Sequence, residues 1–399
     1  MATIGVGGMG TGDMKAFMHK KNQVQMVAVC DVDERHSSRA KNIVDDFYGN
    51  SDCRTYVDYR QLLEQEELDA IAIATPDHWH ALPAIAAARH GLDIHAQKPL
   101  ARTIREGRAM CNAVKKAGIV WQTGSQQRSA NNFRRACEMV RNGFIGKVKK
   151  VEVGLPYGGS GPHGGKSQGW SPEPIPDGLH YDFWLGTAPK VPYNHLRVHW
   201  DWRWILDYSG GQLTDWAGHH IDIAQWGMGR ERTGPIEVWG EGKYPDDGLW
   251  NTPYKYKFHC KYREGAPMTV ADDHEFDRGV TWYGEDGRIH VSRGTLEAKP
   301  SSLLQEKIGT GGVHLYNSPG HKQNFLNCIR TGQETVAPIE IGHRSISVGL
   351  LGEIAMLTGR RIRWDPDKER ILDDPEARRL LGRSYREPWH LPEDVLVTS

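Results

Sequence analysis

The sequence predicts an α/β protein with a parallel sheet in its first third and a mainly antiparallel sheet in the remainder. Up to about residue 124, short apolar runs alternate with longer helical segments, which is the βαβ rhythm of a parallel sheet. Later segments such as "YKYKFHCKY" alternate polar and apolar residues, as half-buried antiparallel strands do. The 399 residues also exceed the roughly 250–300 that one hydrophobic core usually serves. We therefore predict one domain at residues 1–125 and a second α/β domain at residues 126–399, with the last helices packing back on the first domain.

The elements follow one another in a regular order. A short first strand leads into a glycine loop, and the strands "QMVAVCD", "DAIAIATP", "LDIHAQ" and "IVWQTG" are separated by helical segments such as "TIREGRAMCNAVKKAG". Their apolar runs are continuous, as expected of strands buried on both faces. Residues 157–192 are rich in Gly, Pro and Ser and too long for an ordinary connection, so we predict a functional or partner-contacting loop. Two helices, "KQNFLNCIRTG" and "GHRSISVGLLGEIAMLTG", come near the end.

Composition excludes several classes of protein. Lys plus Arg and Asp plus Glu both number 50, so there is no basic field of the kind that nucleic acids require. The six cysteines form no C-x-x-C pair and are expected to be reduced thiols. The sequence contains no run of about 18 apolar residues that would predict a membrane span, and its first residues show no basic segment followed by an apolar one, the pattern of an export signal. We expect a cytoplasmic protein on the sequence as given, although the short first strand leaves a removed export signal open.

A glycine loop near the start indicates a nucleotide site. Gly5, Gly7 and Gly10 have the G-x-G-x-x-G spacing that permits a tight turn, close approach to pyrophosphate and helix packing, with Gly8 and Met9 between the last two. The next strand ends at Asp31, where a carboxylate can accept hydrogen bonds from both ribose hydroxyls and repels a 2′-phosphate. NAD is therefore favoured over NADP. Arg35 lies one helical turn further on and can tolerate a 2′-phosphate, so NADP is kept as the less favoured alternative.

Several dispersed motifs together resemble one family. The segments "IAIATPDHWH", "QKPLA" and "GGQLTDWAGHHID", taken with the glycine loop, are similar in kind and order to those of the Gfo/Idh/MocA oxidoreductases. The resemblance implies a Rossmann domain followed by an α/β domain with a large, mainly antiparallel open sheet. That sheet often forms the subunit interface, which implies a homo-oligomer, either a dimer or a tetramer. The family motif E-K-P corresponds here to Gln97-Lys98-Pro99, a Q-K-P variant within one branch of the family.

Lys98 is the central catalytic candidate. Ends of parallel strands point into the crevice where ligands bind, and Pro99 fixes the backbone so that the ammonium group is directed. The resemblance implies that Lys98 donates a hydrogen bond to the substrate oxygen at the carbon that loses hydride. With Gln97 in place of a carboxylate, we expect Lys98 to lose a neighbouring anion. The nicotinamide is expected close to the set Ala74, Thr75, His80, Gln97 and Lys98.

A second constellation lies in "QLTDWAGHHID". Asp215, His219 and Asp222 occur at i, i+4 and i+7, which places all three on one face of an α-helix. The family motif D-x-x-x-H corresponds to the first two. We predict that His219 is a general base with a pKa near neutrality, that Asp215 orients it or binds substrate, and that Asp222 has a structural role. Since no third ligand has a telling spacing, we predict no metal site.

Substrate binding is assigned to arginine, histidine and tryptophan side chains. Aromatic faces can stack on the C–H surfaces of a sugar, and Arg or His can bind its hydroxyls. The segment "LRVHWDWRWILDY" offers several such residues, although its tryptophans are about as well explained as core of the second domain. We predict substrate contacts from Arg128, His199, Arg203 and Trp216.

The resulting expectation is an NAD-dependent oxidoreductase that acts on a secondary hydroxyl of a sugar, glycoside or cyclitol. The alternative is an NAD-dependent glycosidase, in which transient oxidation at C3 acidifies the neighbouring C–H and allows elimination of the aglycone. The two differ in that the glycosidase yields no net NADH. A non-enzymatic scaffold is a third class, and the presence of Lys98, Asp215 and His219 argues against it.

Overall fold

The computed structural model describes residues 1–160 and 170–396. Six parallel strands form the first sheet, in the order β3-β2-β1-β4-β5-β6. These strands are β1 (Ala2–Ile4), β2 (Ala28–Cys30), β3 (Arg54–Tyr56), β4 (Ala70–Ile73), β5 (Asp93–Ala96) and β6 (Trp121–Thr123). The helices that flank them are α1 (Gly8–Met18), α2 (Glu34–Tyr48), α3 (Tyr59–Gln65), α4 (Ala81–Arg89) and α5 (Ile104–Ala117). The predicted parallel sheet is confirmed.

Nine strands form the second sheet, in the order β13-β12-β11-β7-β10-β9-β8-β14-β15. Among the strands of this sheet that the structure describes, only β7 and β10 pair in parallel, so the prediction of a mainly antiparallel sheet is confirmed. Its strands are β7 (Val148–Leu155), β8 (Glu237–Lys243), β9 (Lys255–Lys261), β10 (Met268–Asp272), β11 (Gly279–Gly284), β12 (Arg288–Ser292), β13 (Thr295–Lys299), β14 (Ile362–Asp365) and β15 (Arg370–Leu372). The remaining helices are α6 (Asn131–Arg141), α7 (Tyr181–Leu185), α8 (Gly211–Trp216), α9 (Asp222–Met228), α10 (His321–Thr331), α11 (Ile339–Thr358) and α12 (Pro375–Arg379).

Alternation along the strands decides which face of the second sheet is buried. In β9, Tyr256, Phe258 and Cys260 are buried, whereas the residues between them are partly exposed. Helix α11 covers the buried face, and Gly352 allows it to come close, because a Cβ there would lie 2.7 Å from the Phe258 ring. Helices α8 and α9 contact α11 on one side and strands β7 and β11 of the second sheet on the other.

Late segments of the chain return to the first domain. Phe325 of α10 is buried in one cluster with Met14 and Phe17 of α1, and Lys322 Nζ lies 2.7 Å from Asp13 Oδ1. The boundary between residues 125 and 126 stays a prediction. All six cysteines are buried and free. Among the described residues, there is no helix whose length and apolarity would suffice to cross a membrane.

Candidate functional site

A continuous cavity of about 780 Å³ lies between the carboxyl ends of the first sheet and the second domain. This volume falls in the range of about 300–1,000 Å³ that is typical of ligand sites. Most of the predicted site residues line it: Gly5, Gly7, Gly8, Met9, Asp31, Ala74, Thr75, Gln97, Lys98, His199, Arg203, Asp215, Trp216 and His219. Gly10, His80 and Arg128 do not line it.

Two positions of the glycine loop have no room for a side chain. Gly5 has φ +80°, and a Cβ on it would lie 2.7 Å from the carbonyl group of Ala74. A Cβ on Gly10 would lie 1.8 Å from the Gly5 carbonyl oxygen, so this glycine packs α1 against the loop. Helix α1 begins at Gly8 and directs its N-terminus into the cavity, which is a favourable place for a phosphate group.

The position of Asp31, directly after β2, is fixed by the backbone. Its carboxylate accepts hydrogen bonds from the amides of Val6 (2.8 Å) and Asp33 (2.9 Å) and faces the cavity. Arg35 is the residue that was expected to tolerate the 2′-phosphate of NADP. It donates from Nε and Nη2 to the Asp33 carboxylate at 3.0 and 2.8 Å. The guanidinium group is therefore already paired with a carboxylate, and Asp31 remains the charged group that faces the cofactor end of the cavity.

We expect Asp31→Ala to reduce the preference for NAD over NADP, because the variant loses both an acceptor for the ribose hydroxyls and the repulsion of a 2′-phosphate. The expected change is about 1–3 kcal/mol, the cost of leaving buried polar partners unmatched. Calorimetric titration of both nucleotides measures it, with Arg35→Ala as a matched control that should retain the preference. Tighter binding of NADP than of NAD by the unmodified protein would contradict the assignment.

Lys98 and Asp215 form an ion pair at the base of the cavity. Lys98 Nζ donates to Asp215 Oδ1 at 2.9 Å, and Arg203 Nε lies 3.7 Å from the same oxygen. Burial alone would raise the pKa of Asp215, but Lys98 and Arg203 together hold it below its usual value. Asp215 therefore supplies the anion that Gln97 does not. Gln97 instead donates to Asp13 Oδ2 at 2.7 Å.

His219 lies beside this pair without being oriented by it. The ring is buried against the cavity, and its Nδ1 has no hydrogen-bond partner among the described residues. Burial, followed by the charges of Lys98 and Arg293, lowers its pKa well below the usual value. The predictions that Asp215 orients His219 and that its pKa is near neutrality are therefore wrong. The imidazole is therefore neutral at neutral pH, and the residue lines the cavity.

A π-helical turn at Ala217–Ile221 joins α8 to α9 and changes the direction in which Asp222 points. A π-turn contains one residue more than an α-helix needs, and each residue of an α-helix turns the chain by about 100°. Asp222 is thereby rotated away from the face of Asp215 and into the interior. The prediction that both lie on one helix face is wrong for this reason.

Arg128 is the interior partner of Asp222. Its Nε and Nη2 donate to the two carboxylate oxygens at 2.6 and 2.9 Å, and both side chains are only 2% exposed. Ser345 Oγ donates to the same carboxylate at 2.7 Å. The prediction of a structural role for Asp222 is consistent with this pairing. The prediction that Arg128 binds substrate is wrong, because its guanidinium group is used in a buried ion pair outside the cavity.

Two predicted histidine contacts are also corrected. The His80 ring is buried behind the cavity wall, with Nδ1 2.7 Å from the Pro99 carbonyl oxygen and Nε2 2.8 Å from that of Thr75. It therefore braces the ends of β4 and β5 rather than contacting a cofactor directly. His199 lies at the ribose end, with Nε2 3.6 Å from Asp33 Oδ2, and not beside the Lys98 pair as a substrate-binding residue would.

A cation could be considered at that end. One ligand atom from each of Asp33, His36 and His199 lies within 4.8 Å of the others. The Asp33 carboxylate is, however, already bound by Arg35, so a metal ion would lie next to a guanidinium group. The absence of a metal site stays a prediction.

Arg203 and Trp216 lie where a substrate contact requires. The Arg203 guanidinium carbon is 4.4 Å from the ring centroids of both Trp200 and Trp202, which hold it facing Asp215. Trp204 is buried in the core, Trp202 is buried but also lines the cavity, and Trp200 lines the cavity and is 59% exposed. The tryptophans of this segment thus serve both roles considered from the sequence.

Other residues of the cavity had no assignment from the sequence. Arg293 lies in the turn between β12 and β13, and its guanidinium carbon is 4.4 Å from the Trp216 ring. Asp77, after β4, lines the cavity with a buried carboxyl group. The sequence signal for Asp77 was its place just after a parallel strand, in "ATPDHWH". Arg293 has no comparable signal, because a turn arginine is usually solvated.

Part of the predicted functional loop contacts the first domain at the ribose end. The Glu34 amide donates to the Gly178 carbonyl oxygen and the His180 amide to that of Val32, both at 2.9 Å. Residues 161–169 of this loop lie outside the described residues. The segment around Gly178 thus joins the second domain to the chain that follows β2.

Buried neutral histidines are expected to make stability depend on pH. Burial is the largest cause that lowers the pKa in each of His78 (to about 3), His220 (to about 4), His321 (to about 3), His95 and His219. The unfolded chain binds these protons near pH 6.5 and the folded protein does so only at lower pH, so stability is complete above pH 6.5 and falls below it. The limiting slope is about 1.4 kcal/mol per pH unit for each group.

Urea unfolding between pH 7.5 and 5 measures this loss, and His321→Gln should reduce the slope by removing one of the groups. An unfolding free energy that is constant across this interval would contradict the expectation.

Comparisons with known proteins come from both sequence and structure. A family model described as "Oxidoreductase family, NAD-binding Rossmann fold" matches residues 1–125, and one described as "Oxidoreductase family, C-terminal alpha/beta domain" matches residues 131–391; both are Gfo/Idh/MocA models. A 2,7-anhydro-N-acetylneuraminate hydratase of Mediterraneibacter gnavus is 27% identical over 84% of this chain and 88% of its own. A myo-inositol 2-dehydrogenase of Thermotoga maritima is 23% identical over 80% and 84%.

The solved structures show a similar fold. The WlbA dehydrogenase from Bordetella pertussis, in complex with NADH and UDP-GlcNAcA, superposes with a TM-score of 0.65 at 18% identity and covers 91% of this chain and 98% of its own. GenD2 from gentamicin A biosynthesis, in complex with NAD, gives a TM-score of 0.65 at 16% identity over 91% and 95%.

Proposed function

Because the chain belongs to the Gfo/Idh/MocA family of NAD-binding oxidoreductases, we propose that it oxidises a secondary hydroxyl of a sugar, glycoside or cyclitol. The observation that carries the proposal is the Lys98–Asp215 ion pair, which lies in one cavity with the glycine loop and with His219. This arrangement combines a cofactor site with a hydrogen-bond donor and a proton acceptor for a hydroxyl group.

The described residues fit NAD. Gly8, at the start of α1, lines the cavity and has no atom within 4 Å of the position of a Cβ, so a pyrophosphate can approach the backbone there. The buried Thr75 Oγ1 lines the cavity without a partner among the described residues, and so offers a hydrogen bond to a ligand. When bound, NAD supplies the hydride acceptor.

Side chains of this protein bind the substrate hydroxyl and accept its proton. Lys98 Nζ donates a hydrogen bond to the hydroxyl oxygen and stabilises the negative charge that develops there as the proton leaves. The neutral imidazole of His219 accepts the proton. Asp215 keeps the ammonium group of Lys98 aimed into the cavity, and Arg203, next to Asp215, offers further donors to substrate hydroxyls.

A sugar-like substrate is supported by three side chains of the cavity wall and by the relatives. Trp216, Arg203 and Arg293 combine an aromatic ring with donors, which suits a ring that bears several hydroxyls. The two relatives described above carry names that refer to a sugar acid and to a cyclitol. The specific sugar and the oxidised carbon are left to the experiment below.

The second candidate is the NAD-dependent glycosidase that uses transient oxidation at C3. It is favoured by one observation, the additional buried carboxyl of Asp77 in the same cavity. The two functions are distinguished by incubating the protein and NAD with free sugars, cyclitols and p-nitrophenyl glycosides while NADH and nitrophenol are recorded together. Net NADH without nitrophenol supports the dehydrogenase, and nitrophenol without net NADH supports the glycosidase. Failure of every compound to produce either would contradict both.

We further propose a homo-oligomer, a dimer or a tetramer, that is built through the second sheet. Support comes from aromatic and charged side chains on its outer face, where Trp239 stacks on His259 and Arg361 lies over the Trp239 ring at 3.7 Å. Sedimentation velocity should give a multiple of the 44.9 kDa chain mass. A monomer at micromolar concentration would contradict this proposal.

A further inference from the structure

Asp77 is an ionisable group in the reaction cavity that oxidation of an alcohol does not use. It follows β4, it is one of the residues that line the cavity, and it is only 4% exposed. Its Oδ2 accepts a hydrogen bond from Ser209 Oγ at 2.6 Å, so the carboxyl group has a partner outside the Lys98–Asp215 pair. A second acid/base group therefore lies in the same cavity, with its own partner.

The surroundings of Asp77 make it more basic than an ordinary carboxylate. Burial raises its pKa, His80, Ser209 and Arg203 act in the opposite direction, and Asp215 raises it further. The direction that we adopt is upward, because no cation is paired with Asp77 in the way that Lys98 is paired with Asp215 among the described residues.

A purely structural role does not explain the choice of residue. If Asp77 only held Ser209, an asparagine would accept the same hydrogen bond without the cost of burying an ionisable group. A carboxyl group that is buried at this cost and still lines the cavity is better explained by chemistry on a ligand.

The number of protons that leave the substrate indicates which reaction would use Asp77. Oxidation of an alcohol releases one proton, from the hydroxyl group, and His219 with Lys98 accounts for it. A second base is needed only if a further proton leaves the substrate. The ketone formed by oxidation acidifies the C–H bond on the neighbouring carbon, and this proton is the one that remains.

We propose that Asp77 is a catalytic residue that removes the proton from the carbon next to the oxidised carbon, so that the protein cleaves glycosides by elimination. This inference rests on the proposed oxidation, which supplies the ketone. It also selects the glycosidase between the two candidate functions.

The step balances without a further reactant. For a 3-keto glycoside, the Asp77 carboxylate takes the C2 proton, and the electron pair of the C–H bond forms the C1–C2 double bond. The C1–O bond to the aglycone breaks with its electrons on oxygen, and the aglycone takes up a proton from the Asp77 carboxyl or from water. The products are an unsaturated ketone and the free aglycone, with no change in net oxidation state.

A substrate that is already oxidised isolates this step from hydride transfer. The protein with NAD is given the two anomers of p-nitrophenyl 3-ketoglucoside, and release of nitrophenol is recorded above the rate in buffer. We expect the unmodified protein to accelerate release of one anomer and Asp77→Asn to slow it by roughly 10²–10⁴-fold. In D₂O, substrate recovered before completion should carry deuterium at C2 with the unmodified protein and should lack it with Asp77→Asn.

Two variants separate a base from a positioning contact. Asp77→Asn retains an acceptor for Ser209, and Ser209→Ala retains the carboxylate but loses the hydrogen bond. The inference requires the rate of nitrophenol release to fall at least ten times further in Asp77→Asn than in Ser209→Ala, at unchanged melting temperatures. Equal losses, or an Asp77→Asn rate within threefold of the unmodified protein, overturn it.

The outcomes also separate this inference from the function on which it rests. If the unmodified protein does not accelerate elimination of either anomer but reduces NAD with an unoxidised sugar, the inference fails and the proposed oxidation stands. If it eliminates the ketoglycoside but forms neither NADH nor nitrophenol from any unoxidised sugar, glycoside or cyclitol, the proposed oxidation fails and the role of Asp77 stands.

Discussion

Lys98→Ala is expected to lower turnover by roughly 10²–10⁴-fold while NAD affinity changes by less than about threefold. The reason is the location of Nζ, which is bound to Asp215 at the base of the cavity, whereas Asp31 and the glycine loop lie at the other end of the cofactor site. Steady-state rates and calorimetric titration with NAD measure the two quantities separately.

A control is needed because alanine at this position leaves the buried Asp215 carboxylate without its lysine. Such an uncompensated charge can cost about 3–5 kcal/mol of stability, so loss of the fold has to be excluded. The double variant Lys98→Met with Asp215→Asn removes both charges and should melt closer to the unmodified protein while remaining inactive. Equal losses in NAD affinity and in turnover for Lys98→Ala would instead assign Lys98 to cofactor binding alone.

Asp222→Ala is expected to destabilise the protein by about 3–5 kcal/mol, since it leaves the Arg128 guanidinium buried and unpaired. Both side chains are almost fully buried, and three hydrogen bonds from Arg128 and Ser345 end on this carboxylate. Urea unfolding measures the loss. A matched control is Asp367→Ala, which removes an ion pair with Arg263 whose side chains are both 67% exposed, and should cost at most about 1 kcal/mol.

If Arg128 bound substrate, as the sequence suggested, the same variant would behave differently. Asp222→Ala would then change the Michaelis constant at nearly unchanged stability. A stability loss below 1 kcal/mol would therefore contradict the structural assignment of the Arg128–Asp222 pair.

Local patterns were sufficient for much of the fold and for part of the site. Gly5 and Gly10 are dictated by contacts within the loop itself, and Asp31 and Lys98 by their places at the ends of parallel strands. These features depend on residues close in sequence or on a regular geometry. The position of each could therefore be predicted before any distant contact was known.

The predictions that were wrong depend on long-range contacts or on an irregular backbone. The spacing of Asp215 and Asp222 assumed an uninterrupted α-helix, and nothing in "TDWAGHHID" reveals the π-helical turn. Arg128 meets Asp222 across 94 residues of sequence, so its pairing had no local signal. His80 was assigned to the cofactor by resemblance, although its ring faces two backbone carbonyls behind the cavity wall.

The junction between Gly178 and the chain after β2 has a consequence for how the crevice can move. Domain closure usually takes place about segments that few contacts cross. Here two main-chain hydrogen bonds join the domains beside the ribose end. At the other end the Lys98–Asp215 ion pair and the hydrogen bond from Ser125 Oγ to the Gly218 carbonyl oxygen also cross between the domains. Because contacts cross the crevice at both of its ends, we expect ligands to enter it without a large rotation of one domain against the other.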